Sequence, residues 1–255
     1  MTDQQMSIIE HLEALRRALM ISMLSVIPGA VAGWFIREEI LKVLVRPVAE
    51  LQYKLVYITA TEAFKTELKI ALFAGIAIAS PMIAYQIWKF ILPALHAHEK
   101  RYILFFVPVS VVLFITGIVF GYYSVFLYGV KFLLNFAGEE LVPMLSLGSY
   151  MSFSLWFLLP FGLIFELPLL ILLLVGLGIL TPQFLSSKRK WVLVISFVLS
   201  AVVTPTTDIF TQGTMALAVY LLYEISIWIS YLVGRKGRRM ALPGTDRDGI
   251  DETDE

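Results

Sequence analysis

Apolar positions in this chain gather into six long runs, separated by short polar stretches rich in Lys and Arg. The runs cover residues 18–35, 69–88, 102–130, 150–178, 191–203 and 210–233. A bilayer core needs about 20 helical residues, so the pattern predicts six membrane spans. The third and fourth runs exceed that length and must tilt, kink or project beyond the lipid. Pro108, Pro160 and Pro168 supply kink points. The fifth run is too short, so either its neighbours shield it or the bilayer thins beside it.

Between the first two runs, Ile36, Ile40, Leu44, Val48, Leu51 and Leu55 recur near a helical period, with charges on the other face. This predicts a helix lying on the outer interface, bent at Pro47. Capping the bundle and docking a partner are both open to it. Ahead of the first run, Ser7-Ile8-Ile9-Glu10 is a capping-box pattern. It starts a helix with Ile8, Leu12, Leu15 and Leu19 on one face and Glu10, Glu13 and Arg17 on another. The predicted organisation is an amphipathic N-terminal helix (1–17), a transmembrane domain (18–234) and a tail (235–255). The tail is acidic and poor in aromatics, which predicts disorder. No internal repeat is visible, which weakens an inverted-repeat transporter reading.

Composition agrees with the pattern. The chain has 255 residues, 58% of them hydrophobic, and a mean hydropathy of +0.81. A soluble domain sits near 45–50% apolar, so this is an all-α integral membrane protein. It has no cysteine, which excludes disulfides and thiolate metal sites. Arg16-Arg17 before the first run resembles a signal peptide, with Ala30-Val31-Ala32 as a cleavage site. The run is longer than a signal core of about 7–15 residues, so a retained span is the expectation.

Net charge is zero, yet the cations are placed unevenly. With six spans both termini share a side, and that side carries Arg16, Arg17, Lys89, Lys100, Arg101, Lys188, Arg189, Lys190 and the cations of 235–247. The first outer loop holds several cations too, but the later outer loops hold almost none. The Lys and Arg bias places both termini in the cytoplasm.

Three carboxylate positions stand out. The hinge Phe90-Ile91-Leu92-Pro93-Ala94-Leu95-His96-Ala97-His98-Glu99-Lys100-Arg101 sets Glu99 beside the membrane among cations. Pairing with those cations is one reading, and binding a guanidinium is the other. Arg offers a planar fork that matches a carboxylate with two parallel bonds, while Lys is a point charge. Glu166 lies inside the fourth run, where an acid costs about 2.5–3.5 kcal/mol on translocon scales. It faces either a structural partner or a wet cavity. Asp208 and Gln212 sit at the outer end of the fifth–sixth hairpin, and Asp208 is a candidate cap for the sixth helix. Glu224 has no evident role. The three histidines, His11, His96 and His98, form no metal-ligand motif. Phosphate-cradling glycine loops and nucleophile–base pairs are also absent from the sequence. No catalytic residue, metal or cofactor is expected, and no nucleic-acid partner.

Several motifs, taken in order, resemble the TatC family, the multispan subunit of the twin-arginine protein translocase. His11-Leu12-Glu13-Ala14-Leu15-Arg16 is similar to the family's His-Leu-x-Glu-Leu-Arg. Ser80-Pro81, Tyr85-Gln86-Ile87-Trp88, Phe90, Pro93-Ala94-Leu95 and His98-Glu99-Lys100-Arg101 follow. Phe165-Glu166-Leu167-Pro168, Leu180-Thr181-Pro182 and the cluster Lys188–Lys190 complete the match, from about residue 11 to 234. The resemblance implies six helices in a concave, glove-like bundle with a short fifth helix, in the bacterial cytoplasmic membrane. It implies a receptor for twin-arginine signal peptides of folded precursor proteins. Export would use small single-span partners of the TatA and TatB type and the proton-motive force, within a larger self-associated complex. By position, Glu99 would bind the arginines, with Phe90, Pro93, Leu95 and Arg16 around it. Glu166, Gln212 and Asp208 would be polar groups for partner docking, and Pro47 matches an outer-loop position. The family's N-terminal glutamate falls on Ala14 here, so Glu13 or Glu10 is left to supply the second carboxylate. The outer Thr206-Thr207 also replaces a tighter Pro-Asp spacing. The competing class is a proton-coupled small-solute transporter with Glu166 as relay, and a plain scaffold is a third.

Overall fold

A computed structural model describes residues 8–91, 100–136, 144–204 and 209–240 of the chain. Its first element changes the reading of the N-terminal third. Helix α1, Ile8–Glu50, runs unbroken through the expected N-terminal helix, the first span and the expected interfacial helix. At 1.5 Å per residue its 43 residues reach about 65 Å, twice the hydrocarbon thickness. The charges after Phe35 mark an exit from lipid, but they do not stop a helix.

The outer part of α1 is not an interfacial helix. Leu44, Pro47 and Val48 are buried, and Leu44 and Val48 belong to the largest core cluster. Pro47 has no amide hydrogen, so the Val43 carbonyl one turn earlier loses its helical donor. Tyr122 supplies the replacement, its hydroxyl donating to Val43 O at 2.7 Å. Tyr150 adds a bond to Leu44 O at 2.8 Å. Tyr122 thus makes the proline tolerable, and the two tyrosines pin α1 to the bundle. The helix ends at Glu50, and Gln52 two residues on has a φ of 64°, the left-handed geometry of a helix stop.

The next elements are β1, Leu55–Val56, and α2, Ala60–Ile91. Helix α2 returns along α1, and the two backbones touch. A Cβ built on Gly75 would lie 2.5 Å from Ala30 N, and one on Gly29 would collide with Gly75 O. Only glycine allows that approach, a packing mode suited to lipid, where apolar surface gains nothing by facing itself. Near the crossing, Arg37 lies over the Trp34 ring at 4.1 Å and donates to Glu67 Oε2 at 3.0 Å.

The third run folds as α3, Lys100–Phe120, a π-helical segment, Gly121–Phe126, and α4, Leu127–Phe136. The irregularity falls at the π segment rather than at Pro108. There Tyr122 and Phe126 join a column of rings with Phe153, Phe157 and Phe161, centroids 5.3–5.9 Å apart. The fourth run begins after β2, Leu145–Ser146, and divides into α5, Leu147–Ile164, and α6, Leu167–Gly176. The break lies at Phe165-Glu166, because Pro168 has no amide hydrogen for the Ile164 carbonyl and its ring crowds that carbonyl, which ends α5 there.

Strands β1 and β2 pair in parallel, Leu55 with Leu145 and Val56 with Ser146. Glu62, in the first turn of α2, ties this end together. It accepts from Ser146 Oγ, from Gly148 N at 2.7 Å and from Ile58 N at 2.8 Å. Nothing in the periodicity predicts a two-residue pair.

The last elements are α7, Pro182–Ser187, α8, Arg189–Val203, and α9, Ile209–Met240. Thr181 caps α7, accepting from Phe184 N at 3.2 Å, with Pro182 following it. That accounts for the Leu180-Thr181-Pro182 motif. Helices α8 and α9 are antiparallel, since Phe197 bonds Gln212 while Arg189 bonds Glu224. Ser196, Ser200 and Thr204 line one buried face of α8. Helix α9 continues six residues past the expected domain boundary at 234, and 241–255 lie outside the described residues.

Five helices are long and apolar enough to cross a membrane: α1, α2, α3 through α4, α5 through α6, and α9. Helix α8 has 15 residues, about 22 Å, and falls short. Six apolar runs therefore become five full-length spans and one short helix among the described residues.

The glycine crossing is testable. Gly75→Val should destabilise the chain by at least about 1–3 kcal/mol, the usual cost of overpacking, because backbone rather than a movable side chain meets the new Cβ. Gly213→Ala, with open space around it, should leave the thermal midpoint in detergent near wild type. Equal midpoints for the two variants would refute the close approach.

Candidate functional site

The antiparallel helices bring the starts of α1, α3 and α8 and the ends of α2, α6 and α9 to one end of the molecule. At that end the His11 ring stacks on Phe90, centroids 4.5 Å apart and planes 27° from parallel. This contact joins the first turns of α1 to the last turn of α2. The α1 turns involved carry Glu10, Glu13 and Arg16, all exposed. Ala14 is half-buried on the inward side. Adjacent helix positions point about 100° apart, so an acid at 13 faces solvent, whereas one at 14 would face the neighbouring helix. Helix α2 stops at Ile91 and α3 starts at Lys100. Glu99, Pro93 and Leu95 lie between them, outside the described residues.

Glu166 occupies the break between α5 and α6. The break turns its half-buried carboxylate onto Ser110 of α3, whose hydroxyl donates to Oε1 at 2.8 Å. An acid in an apolar run has thereby one satisfied oxygen contact and a partly open side. It can accept further donors from a group docking beside it. Gln212, in the first turn of α9, donates from Nε2 to Phe197 O at 3.3 Å. It bonds to α8, whereas Glu166 bonds to α3. Asp208 lies outside the described residues. Pro47 sits at the far end, in the core, with the tyrosine contacts described above.

Two arrangements escape the sequence reading. Glu224, which had no evident role, forms a two-point fork with Arg189. Nε meets Oε1 at 2.8 Å and Nη2 meets Oε2 at 2.9 Å. Tyr220 also donates to Glu224 Oε1 at 3.0 Å. The signal was available: an acid inside an apolar run needs a partner, and the cation cluster at 188–190 borders the preceding run. Glu62 is the other. Its serine and backbone donors give no sequence signal.

No cluster of metal-binding side chains occurs among the described residues. One cavity of about 370 Å³ lies against Arg189 and α9, and an apolar groove of about 830 Å³ lies along α1 and α2. Neither is lined by Glu13, Phe90, Glu166 or Gln212.

The family profile for TatC, Sec-independent protein translocase protein, matches residues 10–217. The chain belongs to the TatC family. A TatC from Carboxydothermus hydrogenoformans is 43% identical over 236 residues, covering 92% of this chain and 97% of that protein. A TatC from Aquifex aeolicus is 37% identical, covering 92% and 99% respectively. A crystal structure of a twin arginine translocase receptor TatC superposes with a TM-score of 0.75 at 38% identity. It covers 89% of this chain and 100% of that one. TatC is a translocase family rather than a catalytic one, and its helices make this a multi-pass membrane protein. The solute-carrier alternative finds no support in these relatives. The TatC match spans Glu10, Phe90, Glu166 and Gln212 and ends before Glu224.

The His11–Phe90 contact is expected to hold the start of α1 in place. A stacked aromatic pair contributes about 0.5–1.5 kcal/mol, so His11→Ala should speed amide exchange in residues 9–14 by roughly 2–10-fold. His11→Phe should keep wild-type protection. Unchanged exchange in His11→Ala would show that the stack does not anchor the helix.

Proposed function

We propose that this chain is the core receptor subunit of a twin-arginine translocase. It binds twin-arginine signal peptides of folded precursor proteins. With small single-span partners of the TatA and TatB type it exports them, driven by the proton-motive force. One observation carries the reading beyond family membership: the stack of His11 on Phe90. It joins the acid-bearing start of α1 to the helix from which the Glu99 segment departs.

In this reading Glu99 takes one guanidinium, and Glu13 or Glu10 takes the other. Phe90, Pro93 and Leu95 shape the floor, and Arg16 balances the acids. A guanidinium gives each carboxylate two parallel charge-assisted bonds, which an ammonium cannot match. Glu13 is exposed and needs no rotation of α1 to reach an incoming peptide. Glu166, with one oxygen held by Ser110, together with Gln212 and Asp208, offers polar contacts to a partner helix. The organisation is that of a cytoplasmic N-terminal segment, a six-helix membrane domain in which α8 is the short member, and a cytoplasmic tail. The location is the bacterial inner membrane, with both termini cytoplasmic, and working copies self-associate in a larger complex.

The decisive measurement is peptide binding to the purified full chain in lipid nanodiscs. Glu99→Ala should weaken a twin-arginine signal peptide by roughly 10–100-fold, the loss of about 1.5–3 kcal/mol of charged hydrogen bonding. A Lys-Lys peptide should bind weakly to wild type and change little. Glu13→Ala should weaken binding, and adding Ala14→Glu should restore part of it. Unchanged affinity for both peptides in Glu99→Ala would sink the assignment.

A further inference from the structure

The close crossing of α1 and α2 has a lipid-facing side. The two backbones touch through Gly29, Gly33 and Gly75, so the seam between them is lined by small residues. Ala30 and Ala71 floor it, while Ile27 and Val31 on one helix and Leu68 and Leu72 on the other stand as walls. This is the apolar groove of about 830 Å³. It runs along α1 from Met23 to Phe35, which at 1.5 Å per residue is about 18 Å. One leaflet of hydrocarbon is about 15 Å thick, so the groove has the length of an acyl chain. Ile27, Val31 and Leu72 are each more than half exposed, on helices apolar enough to cross a membrane. The groove therefore opens to lipid.

Polar groups gather at one end of it, the end that holds β1 and β2. Arg37 meets Glu67 and Gly29 meets Gly75, and this antiparallel register sets Lys65 level with Glu38 and Glu39 across the seam. Lys65 precedes Leu68 by one turn of α2, and Glu38 follows Trp34 by one turn of α1. Residues one turn apart share a helix face, so both stand above the walls of the groove. They lie about 5 Å beyond Phe35, at the depth of lipid headgroups.

Some of these groups are already engaged. Arg37 donates from Nε to Glu67 at 3.0 Å and from Nη1 to Trp34 O at 2.6 Å, and it lies over the indole ring. Glu39 accepts from Lys42 at 2.7 Å. Others are open. Glu38 meets only the edge of Arg37, at 3.4 Å, with its side chain 67% exposed. Lys65 is exposed and forms no ion pair among the described residues. Trp34, half-buried in the groove, donates its indole N–H to no acceptor among the described residues. An open cation, an open N–H donor and an open carboxylate thus share the mouth of an apolar groove.

A phosphate satisfies the cation and the indole. The carboxylate calls for a cation that can donate a hydrogen bond. An anionic headgroup lacks one and brings like charge to Glu38. A choline headgroup has the positive charge but no N–H. A phosphoethanolamine headgroup carries both parts, a phosphate and a primary ammonium two carbons away. We propose that phosphatidylethanolamine binds here, with an acyl chain along the Ala30–Ala71 floor, its phosphate on Lys65 and the Trp34 indole, and its ammonium on Glu38. The acyl chain runs from the headgroup end toward the bilayer centre, as in the surrounding leaflet. The lipid splints the crossing where backbone meets backbone.

The test uses the detergent-purified full chain and four probes: phosphatidylethanolamine, phosphatidylcholine and phosphatidylglycerol with the same acyl chains, and soluble phosphoethanolamine. Phosphatidylethanolamine should raise the thermal midpoint of wild type most, and phosphoethanolamine should leave it unchanged. Lys65→Gln should weaken the apparent phosphatidylethanolamine affinity at least ~5-fold. Glu38→Gln should abolish the preference over phosphatidylcholine. Lys54→Gln, which removes an exposed cation at the same end but off the groove, should change neither property. Equal responses to the three lipids, a preference retained in Glu38→Gln, equal losses in Lys65→Gln and Lys54→Gln, or a response to phosphoethanolamine would overturn the proposal. Should a variant not fold, wild type is labelled with a phosphatidylethanolamine carrying a photoreactive acyl chain. Label concentrated on residues 23–35 and 68–76, and displaced by phosphatidylethanolamine but not phosphatidylcholine, supports the site. Label spread evenly over lipid-facing helices overturns it. Label lost from the groove as copies of the chain associate, at constant lipid, assigns the groove to a second copy and also overturns it.

Discussion

Lipid supplies no hydrogen bonds, and that constraint governs where this chain can depart from a plain helix. At several irregularities in the spans a protein group makes good the lost bond. At Pro47 the freed carbonyl of Val43 receives the Tyr122 hydroxyl. At the break before Pro168 the exposed turn is closed by Glu166 N donating to Leu163 O at 3.1 Å and Leu170 N donating to Glu166 O at 3.0 Å. The hydroxyls of Ser196, Ser200 and Thr204 fold back onto carbonyls of their own helix. Glu166 reaches Ser110 only because the helix is interrupted where it sits.

The two ends of the molecule are built differently. At the end holding β1 and β2, a carboxylate with several donors, a paired strand and two tyrosine hydroxyls make a closed structure. At the other end the ties include a ring stack and an ion-pair fork, and Glu13, Arg16 and Lys190 face outward. The first arrangement resists change of shape. The second leaves charge facing outward, which fits the peptide-binding role proposed for that surface.

Much of the frame was legible in the sequence because hydropathy responds directly to lipid. Five of the six runs correspond to helices of spanning length, and the short fifth run is α8. What failed was continuity: the charged residues 37–39 and 42 mark where lipid ends, yet the stripe through Ile40, Leu44 and Val48 keeps the helical period and the helix. Partners were harder to see than the groups that need them. Glu166 stands out as an acid in an apolar run, but Ser110 is 56 residues away. Glu224 is the same case, with Arg189 as its counterpart 35 residues earlier. In both cases the sequence marks the acid that needs a partner, and the fold decides which residue that partner is. The strand pair is shorter than any detectable period. The stack of His11 on Phe90 involves two residues singled out for other reasons, and their meeting follows only from the antiparallel course of α1 and α2.

The contact of Gly29 with Gly75 also has a bearing on how such a chain can drift over evolutionary time. Most helix packing tolerates exchange, since a gain in volume on one side can be offset by a loss on the other. Here both partners are already the smallest residue, so neither can shrink to accommodate the other. No compensating pair of substitutions exists. Any lineage that enlarges one of them must alter the tilt of α1 itself, and with it the positions of His11 at one end and Pro47 at the other.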